Sequence, residues 1–274
     1  MTKSKAGVRD EADERSAPSA HVVYEAIRLE GEQELERRVS SLAWSGFAAG
    51  LSMGFSFLGE GLLHHYLPTA AWTALVSKLG YSIGFLIVIL GRQQLFTENT
   101  LTVILPLLAK KTLHVLFCVA RLWSIVLVAN LAGALVFAFV IAKTNVVEAD
   151  VARSLQELAR TAVAESFGIT LLRGVFAGWL IALMVWLLPA AESARVGIII
   201  IITYLVDLAH FPHIIAGSGE AFYLAACGLR SWSDVIFTFA LPALIGNTLG
   251  GVALVAALAH AQIVGDKEKE SSGT

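Results

Sequence analysis

Two long apolar runs of this chain are each broken in mid-course by polar and charged residues. The run 75–108 is interrupted by GRQQLFTENTLTVILP at 91–106, and a run ending near Ala226 is interrupted by DLAHFPHIIAGSGE at 207–220. In lipid, backbone released from a helix has no water to bond, and a carboxylate at mid-bilayer costs roughly 3 kcal/mol or more. Such interruptions survive only where they line a cavity or pore. Two broken hydrophobic segments in corresponding halves of a chain point to a transport site, so the pattern predicts a membrane pore whose filter is built from the two breaks.

Composition agrees, since 56 % hydrophobic residues, 15 % charged residues and a mean hydropathy of +0.70 over 274 residues exclude an ordinary soluble domain. The net charge of -2 conceals segregation, with most charges in 1–40, 143–165 and 266–274. Nothing in it suggests a nucleic-acid partner. Cys118 and Cys227 lack metal-ligand spacing and read as buried free thiols. Neither a metal site nor another cofactor is expected. Residues 1–20 have no apolar period and read as a disordered cytoplasmic tail, 263–274 read as a cytoplasmic tail, and the N-terminus does not resemble a cleaved signal peptide. Between 21 and 40, Val22, Val23, Ile27, Leu35 and Val39 form an irregular apolar stripe. This reads as an amphipathic helix on the membrane surface, weakened by Gly31.

Runs near the roughly 20 residues that a bilayer requires number six in the pore domain 41–262: 41–63, 75–108, 113–142, 166–189, 194–226 and 233–262. Six spans put both termini on one side. With the termini cytoplasmic, thirteen Lys and Arg fall inside (Lys3, Lys5, Arg9, Arg15, Arg28, Arg37, Arg38, Lys110, Lys111, Arg121, Arg195, Lys267, Lys269). Only five fall outside: Lys78, Lys143, Arg153, Arg160 and Arg230. The positive-inside rule therefore favours cytoplasmic termini.

The halves repeat. Gly46 and Gly50 of the first span match Gly174 and Gly178 of the fourth, and Asn130 and Gly133 match Asn247 and Gly250. Matching phenylalanines overlay Phe96, Thr97 and Glu98 on Phe211, Pro212 and His213. Three spans per half is an odd number, so the repeat must be inverted.

With these features in place the chain resembles the formate/nitrite transporter family over about 25–262. The matching motifs are Leu95, Phe96 and Thr97 in the first break, Phe211, His213 and Ala216 in the second, Arg173 and Gly174, and the set Gly246, Asn247, Gly250 and Gly251. No single motif is specific, but their order within an inverted repeat is. The resemblance implies an all-α membrane protein with an aquaporin-like fold, broken second and fifth spans, and a homopentamer in the bacterial inner membrane with one pore per protomer. It implies passage of small monovalent solutes such as formate-like weak acids, with His213 as the central pore histidine and Leu95, Phe96 and Thr97 at a constriction. Three departures resemble a divergent YfdC-type branch. Glu98 stands where a small residue is usual, Gly217 where the family has asparagine, and Glu165 where a basic residue is frequent.

These departures leave the solute open between a formate-like acid or anion and a cation or ammonium-like species selected by Glu98 and Glu165. The repeat overlay places Glu98 beside His213, where a carboxylate within roughly 4–6 Å would favour imidazolium. Otherwise Glu98 caps the half-helix starting near Asn99. Asp207 and His210 are expected on one helical face in the vestibule, Phe96 and Phe211 opposite each other at the constriction, and Asn130 and Asn247 on exposed backbone of the breaks. No nucleophile or cofactor motif accompanies Glu98 and His213, so no enzyme is expected.

Overall fold

The structure, a computed structural model, describes residues 18–262. The expected tail 263–274 and residues 1–17 of the expected tail 1–20 lie outside the described residues, and Ala20 of that tail is already helical. Helix α1 (Ala20–Glu36) begins where the Ser19 hydroxyl accepts the amide of Val22. Five helices are long and apolar enough to cross a bilayer: α2 (Val39–Tyr66), α3 (Thr73–Leu90), α5 (Leu113–Lys143), α7 (Phe167–Ala190) and α10 (Trp232–Gln262). The shorter α4 (Asn99–Lys110) follows α3, and α8 (Arg195–Leu208) and α9 (Ile214–Ala226) make up the fifth span as two half-helices. The breaks thus fall at 91–98 and 209–213, and the architecture is an inverted repeat of three plus three spans.

One amphipathic helix was not foreseen. Helix α6 (Ala149–Ala162) lies in what reads as a charged loop, and its buried residues Val151, Leu155 and Ala159 fall four apart, on one face. Helix α1 runs through Gly31 without a fault. A Cβ there would stand 2.1 Å from the carbonyl oxygen of Thr102, so glycine lets α1 close on α4. The helix is tied down by Arg92 to Glu30 at 2.8 Å, Lys110 to Glu32 at 3.0 Å, and Gln94 to Glu34 at 2.9 Å. Its Tyr24 phenol, raised above its ordinary pKa first by burial and then by Glu25, hydrogen-bonds His260. Cys118 and Cys227 are free but only half-buried.

The halves interlock. Helix α9 of the second half packs against α2 and α5 of the first, while the start of α4 packs against α7 and α10 of the second. Long helices pair by close backbone approach: a Cβ on Gly50 would meet the Asn130 carbonyl at 2.0 Å, and one on Gly178 the Asn247 carbonyl at 2.1 Å. Small residues thus draw α2 to α5 and α7 to α10, as membrane helices require in the absence of a hydrophobic driving force between them. Helix α10 widens into π turns at Val235–Ala240, just before Pro242, and at Gly250–Ala256, just after Asn247. Proline cannot donate and crowds the preceding turn, which accounts for the first. Large apolar side chains such as Trp44, Leu113, Phe117 and Val128 are exposed on the outside of the bundle.

Candidate pore between two cavities

Two asparagines hold the breaks. Asn130 donates to the carbonyls of Gly46 (2.7 Å) and Gln94 (2.8 Å) and accepts the amide of Phe96 (2.9 Å). Asn247 does the same in the other half, donating to Gly174 and Pro212, both at 2.9 Å, and accepting from Ile214 at 2.8 Å. Each therefore satisfies three backbone groups, two of them left without helical partners by the break.

These clamps correct the register of the repeat. Gln94 to Phe96 correspond to Pro212 to Ile214, an offset of 118 residues. The same offset relates the helix ends Leu90 and Leu208 and the left-handed Arg92 (φ 50) and His210 (φ 53). It also relates the bonds Gln93 N to Val88 O and Phe211 N to Val206 O. The partner of His213 across the repeat is therefore Leu95, not Glu98. Phe96 is not opposite Phe211: it is buried edge-on against Trp123 at 5.6 Å, while Phe211 stacks on Phe176 at 5.3 Å.

His213 opens α9. Its Nδ1 accepts the amides of Ile215 (3.3 Å) and Ala216 (3.2 Å), and its Nε2 lies 2.7 Å from the Thr97 hydroxyl. Because Nδ1 uses its lone pair, the neutral ring carries its proton on Nε2 and donates to Thr97. Phe85 packs edge-on against the ring at 5.0 Å, a contact not foreseen. His213, Thr97 and Leu95 are each 0 % exposed, so the passage is shut at this level.

Cavities open on either side. On the α1 side, about 110 Å³ is lined by Glu98 with Glu30, Glu34, Arg92, Gln93 and Arg195. Glu98 thus faces a different cavity from His213, which corrects the expected pair. It does not act as a side-chain cap of α4 either, and its Oε1 is buried without a partner among the described residues. The Arg195 Nε and Gln93 Oε1 of the same cavity are likewise unpaired. Glu98→Gln is expected to raise formate uptake relative to methylammonium uptake by roughly 3- to 30-fold through the concentration of each ion at this cavity, the effect of one charge at several ångströms through a dielectric between that of protein and water. Paired uptake of labelled formate and methylammonium into proteoliposomes reads the ratio; a ratio within twofold of wild type would contradict it.

The opposite cavity, about 50 Å³, reaches His213 and is lined by Asp207, His210, Phe211, Gly217, Glu220 and Phe239 together with Glu165 and Arg173. Glu165 is paired with Arg173 at 3.0 Å. Asp207 and His210 both face this cavity, yet not from one helical face, because His210 lies beyond the end of α8 in the left-handed region. At Gly217 a Cβ would come 2.3 Å from the Phe239 ring, so glycine admits an apolar wall where the family pattern has an asparagine. An adjoining cavity of about 180 Å³ holds Glu60, Lys78, Asp207 and Glu220. Lys78, expected in an outer loop, lies buried in α3 and bonds Asp207 at 2.9 Å and Glu60 at 3.4 Å. Glu60 and Glu220 were open to discovery as acids inside apolar helices, which are functional candidates by default.

The formate/nitrite transporter family description matches residues 21–261. The chain belongs to that family. It is 40 % identical over 261 residues to the inner membrane protein YfdC of Escherichia coli, covering 95 % of this chain and 84 % of that protein. The formate channel BtFdhC of Bacillus thuringiensis is 28 % identical, over 86 % of this chain and 90 % of its own. A pentameric formate channel solved with formate bound superposes with a TM-score of 0.69 at 18 % identity, covering 82 % of this chain and 98 % of that one. A second structure, an FNT family ion channel, gives 0.67 at 20 % identity, covering 86 % and 96 %. The chain is thus a multi-pass membrane channel or transporter of this family, in the aquaporin-like fold.

Proposed function

We propose that this chain forms a homopentamer in a bacterial inner membrane, with α1 and both termini cytoplasmic. Each protomer passes small monovalent weak acids of the formate class, and these cross the constriction as neutral molecules. The observation that carries the reading is the bonding of His213. A ring that spends Nδ1 on two backbone amides and Nε2 on Thr97 offers no positive charge to a bare anion, and Leu95 and Phe85 supply apolar surroundings. An anion would meet the full cost of burial there; its neutral acid would not. The Thr97 hydroxyl accepts from His213 and has no protein acceptor for its own hydrogen among the described residues, so it can donate to a passing carboxyl oxygen. Asp207, His210 and Glu220 line the approach on the α6 side and can hand the entering anion a proton before the dry stretch. Transport would then be proton-linked, and the protein a pore rather than a catalyst. The positive charges gathered on the α1 side and the pentameric structural relative support the orientation and the assembly.

A second reading, an ammonium-like base crossing as its neutral form, is favoured by the excess of carboxylates: Glu60, Asp207 and Glu220 against Lys78. Uptake of labelled formate, nitrite, potassium and methylammonium into proteoliposomes under imposed pH gradients separates the two. Formate uptake is expected to rise roughly tenfold for each unit by which external pH is lowered, following the neutral fraction of an acid far above its pKa. Methylammonium uptake without formate uptake would replace the first reading by the second.

A further inference from the structure

The larger cavity on the α6 side draws its carboxylates and its lysine from four separate helices. Glu60 comes from α2, Lys78 from α3, Asp207 from the end of α8 and Glu220 from α9, with Ser77 and Thr161 beside them. The charges do not balance. Lys78 Nζ lies 2.9 Å from Asp207 Oδ1 and 3.4 Å from Glu60 Oε1, so one ammonium already serves two carboxylates. Glu220, only 7 % exposed, has no hydrogen-bond or ion-pair partner among the described residues, and Asp207 Oδ2 is buried without one. Glu220 and Asp207 Oδ2 therefore face one cavity unpaired, on a wall that His64 and His210 share. Arg173, the cation of the neighbouring cavity, is engaged with Glu165.

A buried carboxylate without a donor is costly to maintain, which points to an occupant that supplies donors. The cavity's volume of about 180 Å³ has room for one, since a water molecule occupies roughly 30 Å³ of liquid. Among the described residues no three His, Cys, Asp or Glu side chains are placed to ligate a metal ion. An N–H donor is a better match, because the Lys78 ammonium is already bonded by Asp207 and Glu60 of the same cavity. We propose that this cavity binds a small monovalent N–H cation, ammonium or methylammonium in class, between Glu220 and Asp207 Oδ2. The site stands whether the pore carries acids or bases, since the cavity adjoins the passage without including His213 or Thr97.

The test uses the full chain solubilised in detergent, melted in rising ammonium chloride or methylammonium chloride, with choline chloride, potassium chloride and magnesium chloride at matched ionic strength as separate arms. A ligand that binds only the folded state raises the melting temperature saturably. Ammonium and methylammonium are expected to do so and choline not. Glu220→Gln should raise the half-saturating concentration at least tenfold, while Asp150→Asn, on the surface of α6 beside Arg153, should leave it within twofold. The wild-type arms decide alone if Glu220→Gln fails to fold. Identical ammonium and choline curves, saturation by potassium or magnesium only, or an unchanged midpoint in folded Glu220→Gln would each overturn the proposal.

Discussion

Asn247→Ala is expected to lower the melting temperature of the solubilised protein by about 10 °C or more and to abolish uptake. The substitution removes a donor shared by the Gly174 and Pro212 carbonyls and the acceptor of the Ile214 amide. Side-chain bonds between membrane helices average only about 0.6 kcal/mol, because the unfolded chain in lipid finds other partners. That lower figure applies poorly at Pro212 and Ile214, which sit at a break and have no helical bond to fall back on. An orphaned buried backbone group costs about 1–3 kcal/mol, so three lost bonds amount to roughly 4 kcal/mol or more. At about 2–4 °C per kcal/mol for a chain of this size, that is the shift stated. Asn130→Ala should behave alike, because its three bonds to Gly46, Gln94 and Phe96 repeat the arrangement. Melting curves followed by size exclusion read the effect. A shift below about 2 °C in both variants would show that the breaks hold their shape without the clamps.

The second large effect falls on transport rather than stability. Thr97→Val keeps the side-chain volume and removes the hydroxyl that accepts from His213 Nε2. His213 remains held through Nδ1 by Ile215 and Ala216, so the ring stays in place and the fold survives. What disappears is the one hydroxyl among the described residues that accepts a hydrogen bond from His213 and is free to donate to a solute. Leaving a polar oxygen of the neutral solute unpaired in transit costs about 1–3 kcal/mol, roughly 5- to 150-fold in flux. Formate flux through proteoliposomes should fall by that factor in Thr97→Val and recover in Thr97→Ser. If valine stays within twofold of wild type, Thr97 only packs the constriction.

How far the molecule can be read from its residues follows the range of the forces involved. The six apolar runs, the two breaks and the family motifs are local: whether a segment dissolves in hydrocarbon is a sum over neighbouring residues, so the expected 113–142 lies within one residue of the helix Leu113–Lys143. Helix α6 was equally local and could have been recognised from Val151, Leu155 and Ala159, whose spacing is helical although the segment as a whole is polar.

The register of the repeat was a different matter. Matching the letters of Phe96 and Phe211 slid one break three residues against the other. The true correspondence is carried by backbone geometry, in the asparagine clamps and the left-handed Arg92 and His210, and side-chain identity does not encode it. That slip placed Glu98 beside His213 when it faces the other cavity. The meeting of Glu60, Lys78, Asp207 and Glu220 was invisible for the same reason, since each is a lone charge in an apolar stretch until the interlocking halves bring four helices together. By itself, then, the sequence determined that this chain enters a membrane, where it breaks, and to which family it belongs. Only the tertiary structure decided which charges share a cavity, because partition into lipid adds up along the chain whereas electrostatic energy depends on distance through space.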